Sequence, residues 1–137
     1  MITIHAVVDV SLADAWKYWT EPRHITNWNF ASADWHCPKA ENNLSTGGSF
    51  CYTMAAKDGS AEFDFGGTYQ AVIPLEKIEY QIGDGRRVII EFEEQDSNSV
   101  RITEHFEPEQ IHPEALQQQG WQSILNQFKI YAESISK

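Results

Sequence analysis

The chain has 137 residues, a length that suits one domain able to bury roughly 65–70% of the surface of its unfolded form. It carries 20 Asp and Glu against 10 Lys and Arg, a formal net charge of −10, which argues against nucleic acid as a partner because phosphate would stay unneutralised. The apolar fraction of 42% excludes a disordered tail, and the absence of long apolar runs excludes a membrane-spanning helix. We therefore expect a single domain over residues 1–137.

The start of the chain and its cysteines indicate where the protein resides. Residues 1–5 lack the charged and apolar regions of a signal peptide, so we expect a cytoplasmic location. Cys37 and Cys51 are then predicted to be small apolar fillers, although a disulfide stays open because sequence does not give their separation. Trp35-His36-Cys37 has no second pair of ligands nearby, so we expect neither a metal nor another cofactor.

The first forty-eight residues predict one strand followed by short helices. Apolar residues alternate from Ile2 to Val10, as in a strand with one buried face. Ser11, with Asp14 three residues later, resembles a capping box and predicts the start of a helix. Thr20-Glu21-Pro22 ends that helix and starts another. The polar segment that follows contains one short strand, predicted over Trp35–Pro38.

The rest of the chain predicts an antiparallel sheet and a long helix. The turns between the strands are too short for crossover helices, which favours a meander. From Glu114 onward, apolar residues recur with a period near 3.6 and predict an amphipathic helix. An antiparallel sheet with helices on one face belongs to the α+β class. The five further strands are predicted at Ser49–Ala56, Glu62–Ile73, Ile78–Ile82, Val88–Phe92 and Val100–Phe106.

The aromatic content, with 5 Trp, 5 Tyr and 7 Phe, suggests a ligand pocket. A single sheet that curves round one helix seldom fills the space between them, and the remaining volume would form an apolar pocket. The alternative is a closed core in which these rings simply pack. The residues predicted to bind a ligand are Phe50, Tyr52, Phe63, Phe65, Tyr69, Trp121, Leu125 and Phe128, with Trp28 near the mouth.

Glu104 interrupts the apolar pattern of the last strand. It shares a face with Ile102 and Phe106, and a carboxylate on a buried face must be paired, protonated or hydrated. We therefore add Glu104 to the candidate ligand-binding residues and expect a raised pKa if it is buried. The alternative is a solvated position at the rim. His105, its neighbour, should point to the opposite face.

Trp121 is predicted to form part of the pocket wall. Leu125 and Phe128 continue its stripe at i+4 and i+7, so all three should face the sheet. Gly120 costs helix stability relative to Ala, by about 1 kcal/mol. Its presence suggests the close approach of another element or an opening to the cavity.

Several short motifs occur here in the order of one family. The chain resembles the bacterial proteins similar to the activator of heat-shock protein 90 ATPase homologue, within the START-like, or SRPBCC, superfamily. The resemblance extends from Ile2 to about Ser134. The motifs that carry it are Ala15-Trp16, Trp19-Thr20-Glu21-Pro22, Trp28-Asn29, Gly47-Gly48-Ser49-Phe50, Asp58-Gly59, Gly67-Thr68-Tyr69 and Gly120-Trp121-x-x-Ile124-Leu125.

The resemblance implies a helix-grip fold, in which a curved antiparallel sheet grips the C-terminal helix round a hydrophobic tunnel. Members of the superfamily include ligand carriers, cyclases and co-chaperone domains, so function must be argued from the site. Relatives often carry an Arg just before the Gly-Gly pair. Ser45-Thr46 stands there in this chain, which argues against an anionic ligand at that place.

Three functions follow as hypotheses. The first is a non-enzymatic binding protein, a monomer or homodimer, for a small apolar or amphipathic ligand in the tunnel. The second is a polyketide-cyclase-like enzyme acting on such a ligand, with Glu104 or His36 as general acid or base. The third is a chaperone-associated interaction module that docks through exposed aromatics on its helical side.

Overall fold

The computed structural model describes residues 1–135, in which seven strands form one sheet and three helices accompany it. The elements are β1 (Ile2–Val8), α1 (Leu12–Thr20), α2 (Pro22–Ile25), β2 (Trp35–Asn42), β3 (Ser49–Ala56), β4 (Glu62–Ile73), β5 (Lys77–Ile82), β6 (Arg87–Asp96), β7 (Ser99–Phe106) and α3 (Glu114–Ile135).

The two short helices begin where their capping residues predict. The Ser11 hydroxyl accepts a hydrogen bond from the backbone N–H of Asp14 at 3.1 Å, which satisfies one of the free donors at the start of α1. Pro22 occupies the first turn of α2, where its missing N–H costs nothing. Both helix starts are confirmed.

The strands form an antiparallel meander in the spatial order β1-β7-β6-β5-β4-β3-β2. Three strands differ from the prediction by more than one residue. β6 runs to Asp96, beyond the predicted Phe92, because its residues continue to pair with β7. β1 ends at Val8, because the chain turns there and Val10 N–H donates to the Val8 carbonyl at 3.0 Å. β2 is longer than predicted and runs to Asn42, because residues beyond a bulge between His36 and Lys39 pair with β3.

Helix α3 packs against β1 and α1 and covers an edge of the sheet. Its buried side includes Leu125, Phe128 and Ala132, whose side chains are inaccessible to solvent. Lys129 Nζ donates to the Val7 carbonyl at 2.7 Å, so a helix side chain also caps a free acceptor of the edge strand.

The sheet curls round α3 as a half-barrel, which confirms the α+β helix-grip prediction. Gly67 in β4 assists this curvature, because a Cβ there would collide with the Gln81 carbonyl of β5. A bulge between Tyr69 and Ala71 bends the same strand.

Candidate functional site

A cavity of about 310 Å³ lies between the sheet and α3, so the interior is not a closed core. Its wall is contributed by α1, strands β3 to β7, the N-terminal part of α3 and the connecting loops. The apolar lining residues are Trp19, Trp28, Leu44, Met54, Phe65, Ile78, Ile90, Trp121 and Ile124. The polar lining residues are Thr20, Asn29, Tyr52, Tyr69, Tyr80, Arg86, Glu104, Glu109, His112 and Gln117.

The structure places six of the ten predicted site residues in this wall. They are Trp28, Tyr52, Phe65, Tyr69, Glu104 and Trp121. The other four lie outside it, for two different physical reasons. These four are Phe50, Phe63, Leu125 and Phe128.

Three of the four are enclosed in packed core and do not reach the cavity. The Phe128 ring lies against Trp19 and Trp28, with ring centroids 4.8 and 4.9 Å away. Leu125 is fully buried on the same face of α3. Phe50 is covered by neighbouring tyrosines, with its centroid 4.7 Å from that of Tyr80. These three side chains are therefore enclosed by packing contacts between secondary-structure elements and are not accessible to a ligand.

Phe63 has the correct strand face but lies too far along β4. Its side chain is 53% exposed and packs against Trp35, with ring centroids 5.8 Å apart. Together with Phe30, Met54 and Ile124 these two residues line a second cavity of about 230 Å³, here called the outer groove. Met54 and Ile124 also line the first cavity, so the two spaces adjoin.

Glu104 is buried in the cavity wall and not solvated at the rim. Its side chain is 5% exposed, and its neighbours in register are Ile4 of β1 and Ile90 of β6. Within residues 1–135 no side chain or backbone group forms a hydrogen bond or an ion pair with its carboxyl group. Its oxygens are not fully enclosed, because the one fully enclosed side-chain polar atom without a partner in that range is His24 Nε2. Burial raises the pKa of its carboxyl group to about 8, because the charged form loses its hydration.

The expected orientation of His105 is also confirmed. Its ring points to the opposite face of β7, where Nε2 lies 2.9 Å from Glu91 Oε1 and Nδ1 lies 2.9 Å from Thr3 Oγ1. His105 therefore does not pair with Glu104, although the two residues are neighbours in β7.

Tyrosine hydroxyl groups supply further polar groups to the wall. Burial raises the pKa of Tyr80 well above its ordinary value, and the nearby Glu104 adds to the shift. Burial also raises the pKa of Tyr52 and Tyr69, and Asn42 Nδ2 donates a hydrogen bond to the Tyr69 hydroxyl at 3.4 Å. All three phenols therefore keep their protons near neutral pH and can donate or accept hydrogen bonds.

Sequence reasoning missed Tyr80, although two signals could have identified it. Tyr80 alternates with Ile78 and Ile82 on one face of β5, and it lies opposite Tyr69 in register. A residue paired with a predicted wall residue on the same face should share its environment. The alternation within β5 shows which face of the sheet Tyr80 occupies. The pairing of β5 with β4 would also have shown that Tyr69 is its neighbour.

The loop between β7 and α3 brings Glu109 and the exposed His112 to the cavity wall, so we place the mouth of the cavity there. Trp28, predicted near the mouth, lines the cavity but is buried. Gln117 Nε2 donates to the His112 carbonyl at 2.8 Å and to the Glu109 carbonyl at 3.1 Å. Its Oε1 accepts from the Glu109 N–H at 2.9 Å. The Glu109 carboxylate in turn lies 3.0 Å from His112 Nδ1. These bonds fix the loop against the first turns of α3.

Trp121 lines the cavity as predicted, but the explanation for Gly120 changes. The Trp121 ring stacks on Phe106, with centroids 4.1 Å apart and planes 9° apart. A Cβ on Gly120 would meet nothing within 4 Å, so the predicted close approach of another element is wrong there.

Acid–base and metal chemistry have few candidate groups here. His36 does not line the cavity, and Cys37 and Cys51 are free thiols. In the described part of the chain, no three His, Cys, Asp or Glu side chains cluster as metal ligands would.

Nor does any helix within residues 1–135 combine the length and apolarity needed to cross a membrane. The arrangement can enclose an apolar molecule and offer it hydrogen bonds.

Comparison with protein families gives one match that covers most of the sequence. Residues 9–133 match the model described as Activator of Hsp90 ATPase homolog 1-like protein, or AHSA1. The chain belongs to this family. The resemblance inferred from the ordered motifs is therefore confirmed, and the cavity described above is that of an AHSA1-like protein.

Solved structures of AHSA1-like and related proteins have the same fold. A protein from Cytophaga hutchinsonii is 51% identical, with a TM-score of 0.83 over 97% of this chain and 92% of that one. The AHSA1-like protein from Aeromonas hydrophila is 38% identical, with a TM-score of 0.87 over 98% and 94%. The di-domain ARO/CYC StfQ of the steffimycin biosynthetic pathway is 12% identical, with a TM-score of 0.75 over 99% and 46%, a likeness of fold alone. Comparison with curated proteins gives no match.

Proposed function

We propose that this AHSA1-like chain is a binding protein for a small hydrophobic or amphipathic molecule held between the sheet and α3. The observation that carries the proposal is the cavity of about 310 Å³, whose wall combines apolar side chains with phenols and one buried carboxyl group. Ligand pockets usually measure about 300–1,000 Å³ and combine apolar walls with a few polar groups. Apolar burial supplies affinity at roughly 25 cal/mol per Å², and Glu104 with Tyr80 orients the ligand.

The other two hypotheses have less support. For catalysis, His36 lies away from the cavity, so of the two proposed acid–base groups only Glu104 lines it. For an interaction module, the helical side would need exposed aromatic rings. Within residues 1–135 the only exposed aromatic side chain is Phe63, which lies on β4. Binding of a small molecule therefore accounts for more of the site than either alternative.

The proposal is tested with N-phenyl-1-naphthylamine, an uncharged fluorescent probe that accepts energy from tryptophan. Saturable binding is expected, with energy transfer that falls in Trp121→Phe because the ring lines the cavity. Trp16→Phe is the matched control, since it removes one indole from α1 that packs on Phe92 and does not line the cavity. It should leave the probe affinity unchanged.

Two results would contradict the proposal. The first is the absence of saturable probe binding by the wild-type protein. The second is an identical response of Trp121→Phe and Trp16→Phe in both affinity and energy transfer, which would place the probe elsewhere. Mass spectrometry of the protein purified without denaturation supplies an independent observation, because a bound cellular ligand would appear as a defined added mass.

A further inference from the structure

The carboxyl group of Glu104 is a buried polar group without a protein partner. It faces the cavity from β7, between Ile4 and Ile90 of the neighbouring strands. Its oxygens are not among the fully enclosed polar atoms that lack a partner, so they stay accessible from the cavity. Polar groups in such a position are normally satisfied by a ligand or by ordered water. Because this group lies in a cavity wall, a bound ligand is the natural partner.

The charged groups around the cavity do not neutralise Glu104. Arg86 forms an ion pair with Asp84, with Nε 2.8 Å from Oδ2. His112 is paired with Glu109 at the mouth. The remaining titratable groups in the wall are the phenols of Tyr52, Tyr69 and Tyr80. With desolvation as the only influence on its pKa, Glu104 is protonated at neutral pH and presents an O–H donor.

The cavity adjoins a second space that is lined mainly by apolar side chains. The outer groove adjoins the cavity at Met54 and Ile124. Met54 lies on β3, four strands away from Glu104 in the sheet order. The path along the curved sheet is about 19 Å at about 4.8 Å per strand, and the straight line across the half-barrel is shorter. A molecule that binds at Glu104 and also enters the outer groove must extend through both adjoining spaces, which favours an elongated shape.

We propose that the ligand is an uncharged, elongated amphiphile whose hydrogen-bond acceptor, such as a ketone or ester carbonyl, pairs with the Glu104 carboxylic acid and whose apolar tail passes Met54 and Ile124 into the outer groove. This inference rests on the proposed function, because it assigns the ligand class of the same cavity. A carboxylate ligand would bury a negative charge with no free cation beside Glu104. An amine would require two buried charges to be desolvated together.

The head-group assignment is tested with dodecyl methyl ketone, measured by its displacement of N-phenyl-1-naphthylamine. Glu104→Gln keeps a neutral donor and should hold ketone affinity within about twofold of wild type. Glu104→Leu removes the donor and should lower ketone affinity about five- to tenfold, the equivalent of one neutral hydrogen bond. Equal ketone affinity in all three proteins overturns the inference, and so does tighter binding of dodecylamine than of the ketone.

The pH dependence of the same measurement reports the proton on Glu104. Ketone affinity in the wild-type protein should be constant up to pH 7 and fall above about pH 8, by up to tenfold per pH unit, as the acid ionises. Glu104→Gln should show no such fall. A decline that persists in Glu104→Gln belongs to another group and overturns the inference.

The outer groove is tested with a shorter ligand and a surface variant. Dodecyl methyl ketone should bind more tightly than hexyl methyl ketone, and Phe63→Ser should reduce that difference. Ile73→Ser is the matched control, because Ile73 is also an exposed residue of β4 but lies outside both cavities. An unchanged difference in Phe63→Ser overturns the tail assignment while leaving cavity binding intact. Failure of every probe to bind wild type overturns the proposed function itself.

Discussion

Along α3, the inward side chains from Leu125 to Ala132 are packed against the sheet and α1, whereas those from Gln117 to Ile124 face the cavity. Phe128 touches two tryptophan rings in the first region, and Leu125 and Ala132 are fully buried. In the second region Trp121 and Ile124 are only partly buried and line empty space. The inward side of the second region also holds the polar Gln117, while Leu116 is exposed. The two regions differ further in what lies opposite, because α1 packs against the first and the cavity adjoins the second.

The comparison indicates how one helix provides both stability and a binding site. Packed contacts lower the free energy of the folded state only where partner atoms exist on both sides. Side chains that face a cavity lose part of those contacts and become available to a ligand. Substitutions in the packed region should therefore mainly lower stability, and substitutions at the cavity should mainly change ligand binding.

The largest expected effect is that of Phe128→Ala. The truncation leaves a hole between Trp19 and Trp28 and should lower the free energy of unfolding by about 3–5 kcal/mol. Ile124→Ala, one turn earlier, should cost only about 1 kcal/mol, because its side chain already borders empty space. Urea unfolding of both variants measures the difference. Similar losses for the two substitutions would contradict the contrast between the two regions of α3.

The next effect concerns the pH dependence of stability at Glu104. Its pKa is about 8 in the folded chain and ordinarily 4.5, so between these values the folded protein holds a proton that the unfolded chain releases. The free energy of unfolding should therefore fall as pH rises from 4.5 to 8, by about 1.4 kcal/mol per pH unit from this group. Below pH 4.5 the contribution is constant, and above pH 8 the loss is complete.

Glu104→Gln removes this titration and provides the measurement. Its stability should equal that of the wild-type protein near pH 4.5 and exceed it by about 3 kcal/mol at pH 7. Urea unfolding at the two pH values gives both numbers. A variant less stable than wild type at pH 7 would mean that the native carboxyl group is ionised and paired.

A smaller effect is expected at the mouth of the cavity. Gln117→Ala removes three hydrogen bonds to the loop at residues 109–112 and should lower the free energy of unfolding by about 1–3 kcal/mol. Probe affinity should also fall, because the loop that carries Glu109 and His112 lines the cavity. Gln118→Ala is the control, because it makes the same Gln-to-Ala change at the exposed neighbouring position of α3. A loss of stability with unchanged probe binding would separate the loop from the binding site.

The sequence predicted the fold well because its signals are local. The period-two alternation of the strands, the Ser11 cap and the long stripe of α3 each depend on neighbours in the chain, and the ordered motifs identified the family. The lining of the cavity was predicted only in part. Alternation assigns Phe63 and Phe65 to one face of β4, but the distance of each from α3 depends on how the sheet curls.

The same limit applies to the helix and to Tyr80. The stripe places Leu125 and Phe128 toward the sheet, yet only the position of α1 determines that they are enclosed. Tyr80 joins the wall through its pairing with Tyr69, a contact between strands that a single-strand pattern does not contain. Glu104 was found because a carboxyl group on an apolar face is conspicuous. Its burial depended on the neighbouring strands β1 and β6.

The smallest expected effect tests the open end of α3 directly. Gly120 lies in the helix interior, and a Cβ there would meet nothing within 4 Å. Gly120→Ala should therefore raise the free energy of unfolding by about 1 kcal/mol, the difference in helix propensity between the two residues. Gln119→Ala, at the exposed position before it, is the control and should change stability by no more than about 0.5 kcal/mol. Thermal and urea unfolding measure both variants. A loss of stability in Gly120→Ala would show that another element closes on this part of the helix in solution, and the cavity would then be smaller than the structure indicates.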